Sequence, residues 1–242
     1  MADMLFEMPY RMRSGDFDSY KRLKWSAVMD MFQNAACMHT DLLGCGMDDM
    51  LERGLMWAVM KLRFRALREP ELYQKVRVIT WPLRPDRISF RREFRIEDES
   101  GKRLIEGTSE WVLMHSAERR IMRVSGVYPE SESFLNDSCF DQKLGKVENF
   151  TEEDAGYTII PGFSDIDRNG HVNNARYADY VLDAVAPDQE KMTERFDIDF
   201  HREVLIGERL TLFKKQDGSN LLLKGMSGDK IMFSCRIGMR AE

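Results

Sequence analysis

The sequence predicts an α+β chain in which one long helix precedes an antiparallel run of strands, and in which that order occurs twice. Three observations predict it. Apolar residues in WSAVMDMFQNAACMHTDLLG recur at helical spacing, those in the segments that follow alternate, and a second helical stripe beyond residue 170 again leads into alternating segments.

A first strand is expected around Phe6 to Met12. The next segment puts Val28, Met31 or Phe32, Ala35 and Leu42 or Leu43 on one stripe, giving a helix of about four turns with Ser26 as its N-cap and Gly44 as its terminator. His39 lies on the same stripe, where a lone histidine reads as a packing residue with satisfied ring nitrogens. In MWAVMKLRFRAL the period changes to two: Ala58, Met60, Leu62, Phe64 and Ala66 are apolar, with Lys61, Arg63 and Arg65 between them. QKVRVITWP, DRISFRREFRIED, KRLIEGTSEWVLMH and RRIMRVS continue as strands, separated by Arg-Pro-Asp, Asp-Glu-Ser-Gly and Ser116-Ala117-Glu118 turns. Residues 129–154 keep neither period and are rich in Ser, Asp, Glu and Gly, which marks a connector between domains at 1–128 and 155–242.

The second domain restarts with a strand, GYTIIPGF, and a helix carrying Ala175, Ala178, Val181 or Leu182 and Val185, stopped by Pro187. RFDIDFHREV, ERLTLFKKQ, NLLLKGMS and KIMFSCRIGM then read as strands. In each half the helix stripe and the apolar sheet face can bury one another. A single α+β domain with recurring elements remains the alternative from element order alone.

The net charge of −5 is spread over 36 basic and 41 acidic residues, which leaves no electrostatic footprint for nucleic acid. No apolar run approaches the ~20 residues of a membrane span. The start, MADMLFEMPYRMRSGD, lacks the basic head and apolar core of a secretory signal, so a cytoplasmic location is expected. Cys37, Cys45, Cys139 and Cys235 form no C-x-x-C pair and are expected as free thiols. His171 and His201 lie in different elements with no H-E-x-x-H between them, so neither a metal nor another cofactor is expected.

Chemistry concentrates in DIDRNGHVNNARYADY, residues 165–180. Asp167, Asn169 and His171 are two positions apart, and in an irregular segment such residues can point to one side. Gly170 supplies backbone freedom, and Asn173 or Asn174 is placed to cap the helix, whose first N–H groups could support a developing oxyanion. Taken singly these side chains are ordinary turn and cap formers. Together they combine a carboxylate, an amide and an imidazole. No G-x-S-x-G elbow is present and no cysteine sits in an activating context, so acyl transfer would use water with a carboxylate or imidazole as base. Glu203, in IDFHREVLIGERL, is the candidate distal carboxylate; Glu208 competes on spacing, and an exposed strand-end charge is the alternative role for Glu203.

With these residues in view, the chain resembles the acyl-acyl carrier protein thioesterases, in a bacterial branch related to the plant plastid enzymes. FQNAACMHTDLLG, GLMWAVMKLRFRALREPELYQKVRVITWP, RREFRIEDESGKRLIEGTSEWVLMH, DIDRNGHVNNARYADYVLDAV and DFHREVLIGE carry the resemblance, which runs from about residue 4 to residue 238. It implies a tandem (double) hot-dog fold, each unit a long central helix wrapped by an antiparallel sheet. It assigns the acyl pocket and chain selection to the first domain and catalysis by Asp167, Asn169, His171 and Glu203 to the second. The implied substrate is an acyl chain on the phosphopantetheine arm of acyl carrier protein, hydrolysed to free fatty acid and holo-carrier protein. Val204 stands where some plant members carry cysteine, which favours water attack, with His171 the other candidate base. Carrier proteins are acidic, and Arg84, Arg87, Arg91, Arg92 and Arg95, or Arg119, Arg120 and Arg123, are candidate docking charges. An acyl-coenzyme A thioesterase on the same scaffold, a non-catalytic acyl-binding protein and a homodimer all stay open.

Overall fold

The computed structural model describes residues 3–128, 134–140, 144–151, 156–186 and 191–241. The elements are β1 (Phe6–Arg11), α1 (Trp25–Leu42), α2 (Met47–Glu52), β2 (Leu55–Ala66), β3 (Lys75–Pro82), β4 (Phe90–Asp98), β5 (Arg103–His115), β6 (Ile121–Met122), β7 (Tyr157–Ile159), α3 (Arg176–Val185), β8 (Lys191–Phe200), β9 (Leu210–Asp217), β10 (Asn220–Ser227) and β11 (Lys230–Ala241). They form two compact units, Met1–Ser14 with Asp30–Leu144, and Gly15–Met29 with Gly145–Glu242. Residues 15–29 therefore depart from the linear boundary expected at 128. The buried Trp25 ring, 4.8 Å from Phe196 of β8, is one reason they belong to the second unit.

In the first unit the strands run in the order β1-β3-β4-β5-β2, antiparallel throughout, with β6 paired to the end of β5. Phe32 of α1 stacks on Phe94 at 4.4 Å and meets Phe64 edge-on at 6.3 Å. Gly107 lies opposite both Phe64 and Phe94 in register. A Cβ there would sit 2.3 Å from the Phe32 ring, so glycine is what allows the helix this close to the sheet. Gly44 (φ +68) ends α1 as expected, with the Cys45 N–H reaching back to the Thr40 carbonyl. Ser26 is the second residue of α1, not its cap, and α2 is a short helix that apolar periodicity did not reveal.

His39 is the packing residue expected. It is 1% exposed and stacks on Phe6; its Nε2 lies 2.9 Å from the Asp3 carbonyl, and its Nδ1 lies 3.0 Å from Arg92 Nη1. A carbonyl only accepts and a guanidinium only donates, so the ring is a neutral Nε2–H tautomer with both nitrogens used.

The other face of this sheet is also covered, and here the connector differs from expectation. Residues 134–140 lie on it: Trp81 donates to the Asp137 carbonyl (2.8 Å), Arg91 to the Phe140 carbonyl (2.7 Å), and the Cys139 N–H to Glu93 (2.7 Å). Cys139, Phe140 and Leu144 pack with Ile79 and Trp81. Burial pushes the Glu93 carboxyl above the usual carboxylate range, while the Thr108 hydroxyl, Arg91 and the Cys139 N–H pull it back. The apolar residues scattered through a polar stretch have no period to announce them, yet they suffice to seat it. This overturns three of the proposed docking charges. Arg92 is buried beside His39, Arg91 holds Phe140, and Arg95 pairs with Asp137 at 2.6 Å and lies over the Trp81 ring. Arg84, Arg87, Arg119, Arg120 and Arg123 are exposed.

In the second unit the order is β8-β11-β10-β9-β7, again antiparallel. α3 lays Tyr177, Ala178 and Val181 inward, and Tyr177 meets Phe200 and Phe233 edge-on at 5.4 and 5.2 Å. Residues 145–151 cover the opposite face: the Val147 N–H donates to buried Asp199 (2.8 Å), and Val147 and Phe150 pack on Leu222. α3 ends at Ala186 in the left-handed region (φ 44); the expected stop, Pro187, lies outside the described residues.

Candidate active site

The polar segment before α3 folds on itself. The Asp167 N–H donates to the His171 carbonyl (2.9 Å) and the Gly170 N–H to the Asp167 carbonyl (3.0 Å), closing a turn in which Gly170 takes φ +81. Asp167 Oδ1 accepts the Asn169 N–H (2.8 Å) and Oδ2 accepts from Asn169 Nδ2 (3.3 Å). The turn thus brings Asp167, Asn169 and His171 together, as their spacing predicts.

Glu203 arrives from the end of β8. The Val172 N–H donates to the Val204 carbonyl (2.9 Å), pinning the segment after Glu203 to the residue after His171. His171 Nε2 then lies 3.9 Å from Glu203 Oε1, and Nδ1 lies 3.8 Å from Asp167 Oδ1. Nδ1 is also 3.2 Å from the Val172 carbonyl, a contact that requires a proton on Nδ1. In the neutral ring Nε2 then carries the lone pair that faces Glu203. The side chains of Asp167 and His171 are 11% and 13% exposed and that of Glu203 is 42% exposed, so a polar core opens on one side to solvent.

The competitors are accounted for. Glu208 is turned to a backbone task, accepting the Leu205 N–H at 3.0 Å. His201 Nε2 faces Ser234 Oγ at 3.0 Å on β11. Burial pushes the Cys45 thiol up to about 11 and the Cys139 thiol up to about 12, keeping both protonated and poor nucleophiles; Cys235 is fully buried and Cys37 is exposed on α1. Among the described residues no group of three or more His, Cys, Asp or Glu side chains is arranged to hold a metal ion, and no helix is long and apolar enough to cross a membrane.

Two features escaped sequence reasoning. Neither Asn173 nor Asn174 caps α3 as expected, since its N-cap position is Ala175 with no side-chain cap; Asn173 closes the turn just before it, its Oδ1 accepting the Ala175 N–H (2.9 Å) and its carbonyl the Arg176 N–H (2.9 Å). Those two groups are unavailable to an oxyanion. The second is Tyr177. It is 2% exposed, and its hydroxyl takes the Val204 N–H, so Val204 is fixed at both its N–H and its carbonyl. Burial pushes this phenol well above its ordinary range, against that hydrogen bond and with Glu203, Glu208 and Asp167 adding in the same direction. Its position on the apolar stripe of α3 was the only available signal.

This arrangement sits within a chain that matches known families along most of its length. Residues 3–130 match the acyl-ACP thioesterase N-terminal domain, and residues 149–236 match the acyl-ACP thioesterase C-terminal domain. The chain belongs to the acyl-ACP thioesterase family. A chloroplastic palmitoyl-acyl carrier protein thioesterase of Cuphea hookeriana is 28% identical over 198 residues, 76% of this chain and 48% of that protein. A chloroplastic dodecanoyl-[acyl-carrier-protein] hydrolase of Cinnamomum camphora is 28% identical over 220 residues, covering 83% of this chain and 56% of that one. The chain therefore spans about half the length of the curated family members it matches. The fold is shared with solved acyl-ACP thioesterases: that of Bacteroides thetaiotaomicron superposes with TM-score 0.90 at 22% identity over 98% of both chains. The 12:0-ACP thioesterase of Umbellularia californica superposes with TM-score 0.85 at 22% identity over 100% of this chain and 99% of that one.

Proposed function

We propose that the protein hydrolyses fatty acyl thioesters of acyl carrier protein, releasing fatty acid and holo-carrier protein in fatty acid biosynthesis. Its two helix-and-sheet units are read as tandem hot-dog domains. The first takes the acyl chain and the second, with Asp167, Asn169, His171 and Glu203, performs the chemistry. The observation that carries this reading is the meeting of these four residues in a chain of this family, with His171 Nε2 3.9 Å from Glu203 Oε1.

That separation is too long for a direct hydrogen bond, and both atoms are acceptors in the neutral-ring state. A water about 2.8 Å from each would donate one O–H to Glu203 and one to His171, subtending about 90°. Its lone pair is then free to attack the thioester carbonyl carbon. Glu203 takes the water proton as the C–O bond forms. The tetrahedral intermediate collapses with cleavage of C–S, and the proton passes on to the departing pantetheine sulfur. Asn169 Nδ2 has two hydrogens and gives one to Asp167; the other is suited to the developing oxyanion, in place of the helix-start groups that Asn173 occupies. Asp167 is the positioning residue, holding both Asn169 and the His171 side of the turn.

Purified protein is given matched acyl chains on carrier protein and on coenzyme A. Higher kcat/KM on the carrier-bound chains is expected across a panel of saturated, unsaturated and hydroxylated substrates. A preference for coenzyme A thioesters would move the assignment to an acyl-coenzyme A thioesterase, and acyl binding without turnover would move it to a non-catalytic acyl-binding protein.

A further inference from the structure

The two loops that build the site also present apolar side chains to solvent. Phe163 is 88% exposed, Ile160 57%, Leu205 52% and Ile206 55%. Phe163 precedes Asp167 by four residues, and Leu205 and Ile206 directly follow the Glu203–Val204 pair. The loops are joined by the Gly207 N–H donating to the Pro161 carbonyl (2.9 Å), which brings the backbones next to Ile160 and Ile206 together. Phe163 stands on a closed turn: the Gly162 N–H donates to Asp165 Oδ2 (2.7 Å), and the Asp165 and Ile166 N–H groups return to the Gly162 and Phe163 carbonyls. An ordered backbone therefore holds an aromatic ring in water beside a reaction site, the pattern of a recognition surface.

Charge on the same loops names the partner. Arg168, Arg202 and Arg209 are exposed. Three of the acids between them are drawn back into the loops, Asp165 onto the Gly162 N–H, Asp167 onto Asn169, and Glu208 onto the Leu205 N–H, while Glu203 stays exposed and turned to His171. The outward face is apolar with a basic margin.

We infer that this rim, centred on Phe163 and Ile206, is the docking surface for the acidic carrier protein that brings the thioester. The inference rests on the proposed hydrolysis of carrier-bound acyl chains and says where that carrier sits: against the second unit, at the open side of Glu203 and Asn169. Arg91, Arg92 and Arg95, each engaged by partners in the first unit, have no part in it.

The test uses the full chain as wild type, F163S/I206S and R209E. Hydrolysis of one acyl chain on carrier protein and on pantetheine alone is compared at low and high salt, and binding of unacylated holo-carrier protein is measured in parallel. The rim predicts a rise of about tenfold or more in KM for the carrier-bound substrate in F163S/I206S, with pantetheine hydrolysis within about twofold of wild type. For R209E it predicts a loss of carrier binding that shrinks as salt screens it. Equal losses on both substrates, or unchanged carrier binding, overturn it. So does a wild-type dimer that F163S/I206S converts to monomer, since a second copy would then be the occupant. If the wild type hydrolyses neither substrate, the functional reading fails, and carrier binding by wild type and variants still decides the rim.

Discussion

Replacing Glu203 by Gln keeps the side chain's shape and one acceptor oxygen but removes the charge and the ability to take a proton. Two effects are separable by size. If Glu203 only stabilised a positive charge forming on His171, a carboxylate 3.9 Å away and 42% exposed would contribute on the order of 1 kcal/mol after solvent screening, somewhat less than a tenfold rate effect. If it removes the water proton, the loss follows the usual range for general bases, about 10²- to 10⁴-fold. That corresponds to about 3–5.5 kcal/mol in the barrier. Stability should move by no more than about 0.5 kcal/mol, since the residue is exposed on the loop that follows β8. The assay is single-turnover hydrolysis of acyl carrier protein thioester by E203Q, with a urea midpoint as control. A loss of at least a hundredfold with an unchanged midpoint is expected. A tenfold loss would leave the base role to His171, and a rate within threefold of wild type would refute any chemical role for Glu203.

Three further outcomes follow from the same geometry. Tyr177→Phe leaves the buried Val204 N–H without its acceptor, so the urea midpoint should fall by the equivalent of about 1–3 kcal/mol, with kcat reduced as the Glu203 segment loosens; unchanged values in both would refute the link. His39 has its pKa lowered from 6.5 to about 4, first by burial and then by Arg92, so between those values the unfolded chain binds a proton that the folded chain refuses. Stability is fully present above pH 6.5 and should drop by ~3 kcal/mol as pH falls through 6.5 towards 4. The same denaturation series in H39Q should be flatter, and an equally steep one would remove His39 as the cause. Finally, a small thiol reagent at pH 8 should label exposed Cys37 first and leave hydrolysis intact, because the other three thiols are buried; stoichiometric inactivation would reopen a cysteine mechanism.

The fold was legible where a pattern repeats. Each expected strand is present, though GYTIIPGF keeps only Tyr157–Ile159, RRIMRVS only Ile121–Met122, and RFDIDFHREV is displaced to Lys191–Phe200; Gly44 ends α1 where its left-handed conformation is needed. The connector was not legible, because what seats it is not periodic: Phe140, Leu144, Val147 and Phe150 act singly, and buried polar groups on the sheets, Glu93 and Asp199, receive the connector's N–H groups. A charge count along β4 suggested a row of exposed arginines. A strand covered on both faces buries its polar alternates as well as its apolar ones, and Arg92 and Arg91 then become internal donors.

The site shows the same limit at finer scale, through two histidines. His39 stands between Met38 and Thr40 and His171 between Gly170 and Val172, and the spacing around His171 distinguished it from His39 only by the company of Asp167 and Asn169. In the structure the difference lies in the ring nitrogens. His39 commits both, one to the Asp3 carbonyl and one to Arg92, and a fully used imidazole has no lone pair or proton to lend. His171 commits Nδ1 to the Val172 carbonyl and turns Nε2 across 3.9 Å to a carboxylate, a gap that one water fits. No spacing rule reaches that distinction, because it depends on the Val172–Val204 hydrogen bond that brings Glu203 to the far side of the ring. A residue's chemistry here is set by what its second nitrogen lacks, and that is decided by a segment that returns to the ring only after α3 and β8 have been built.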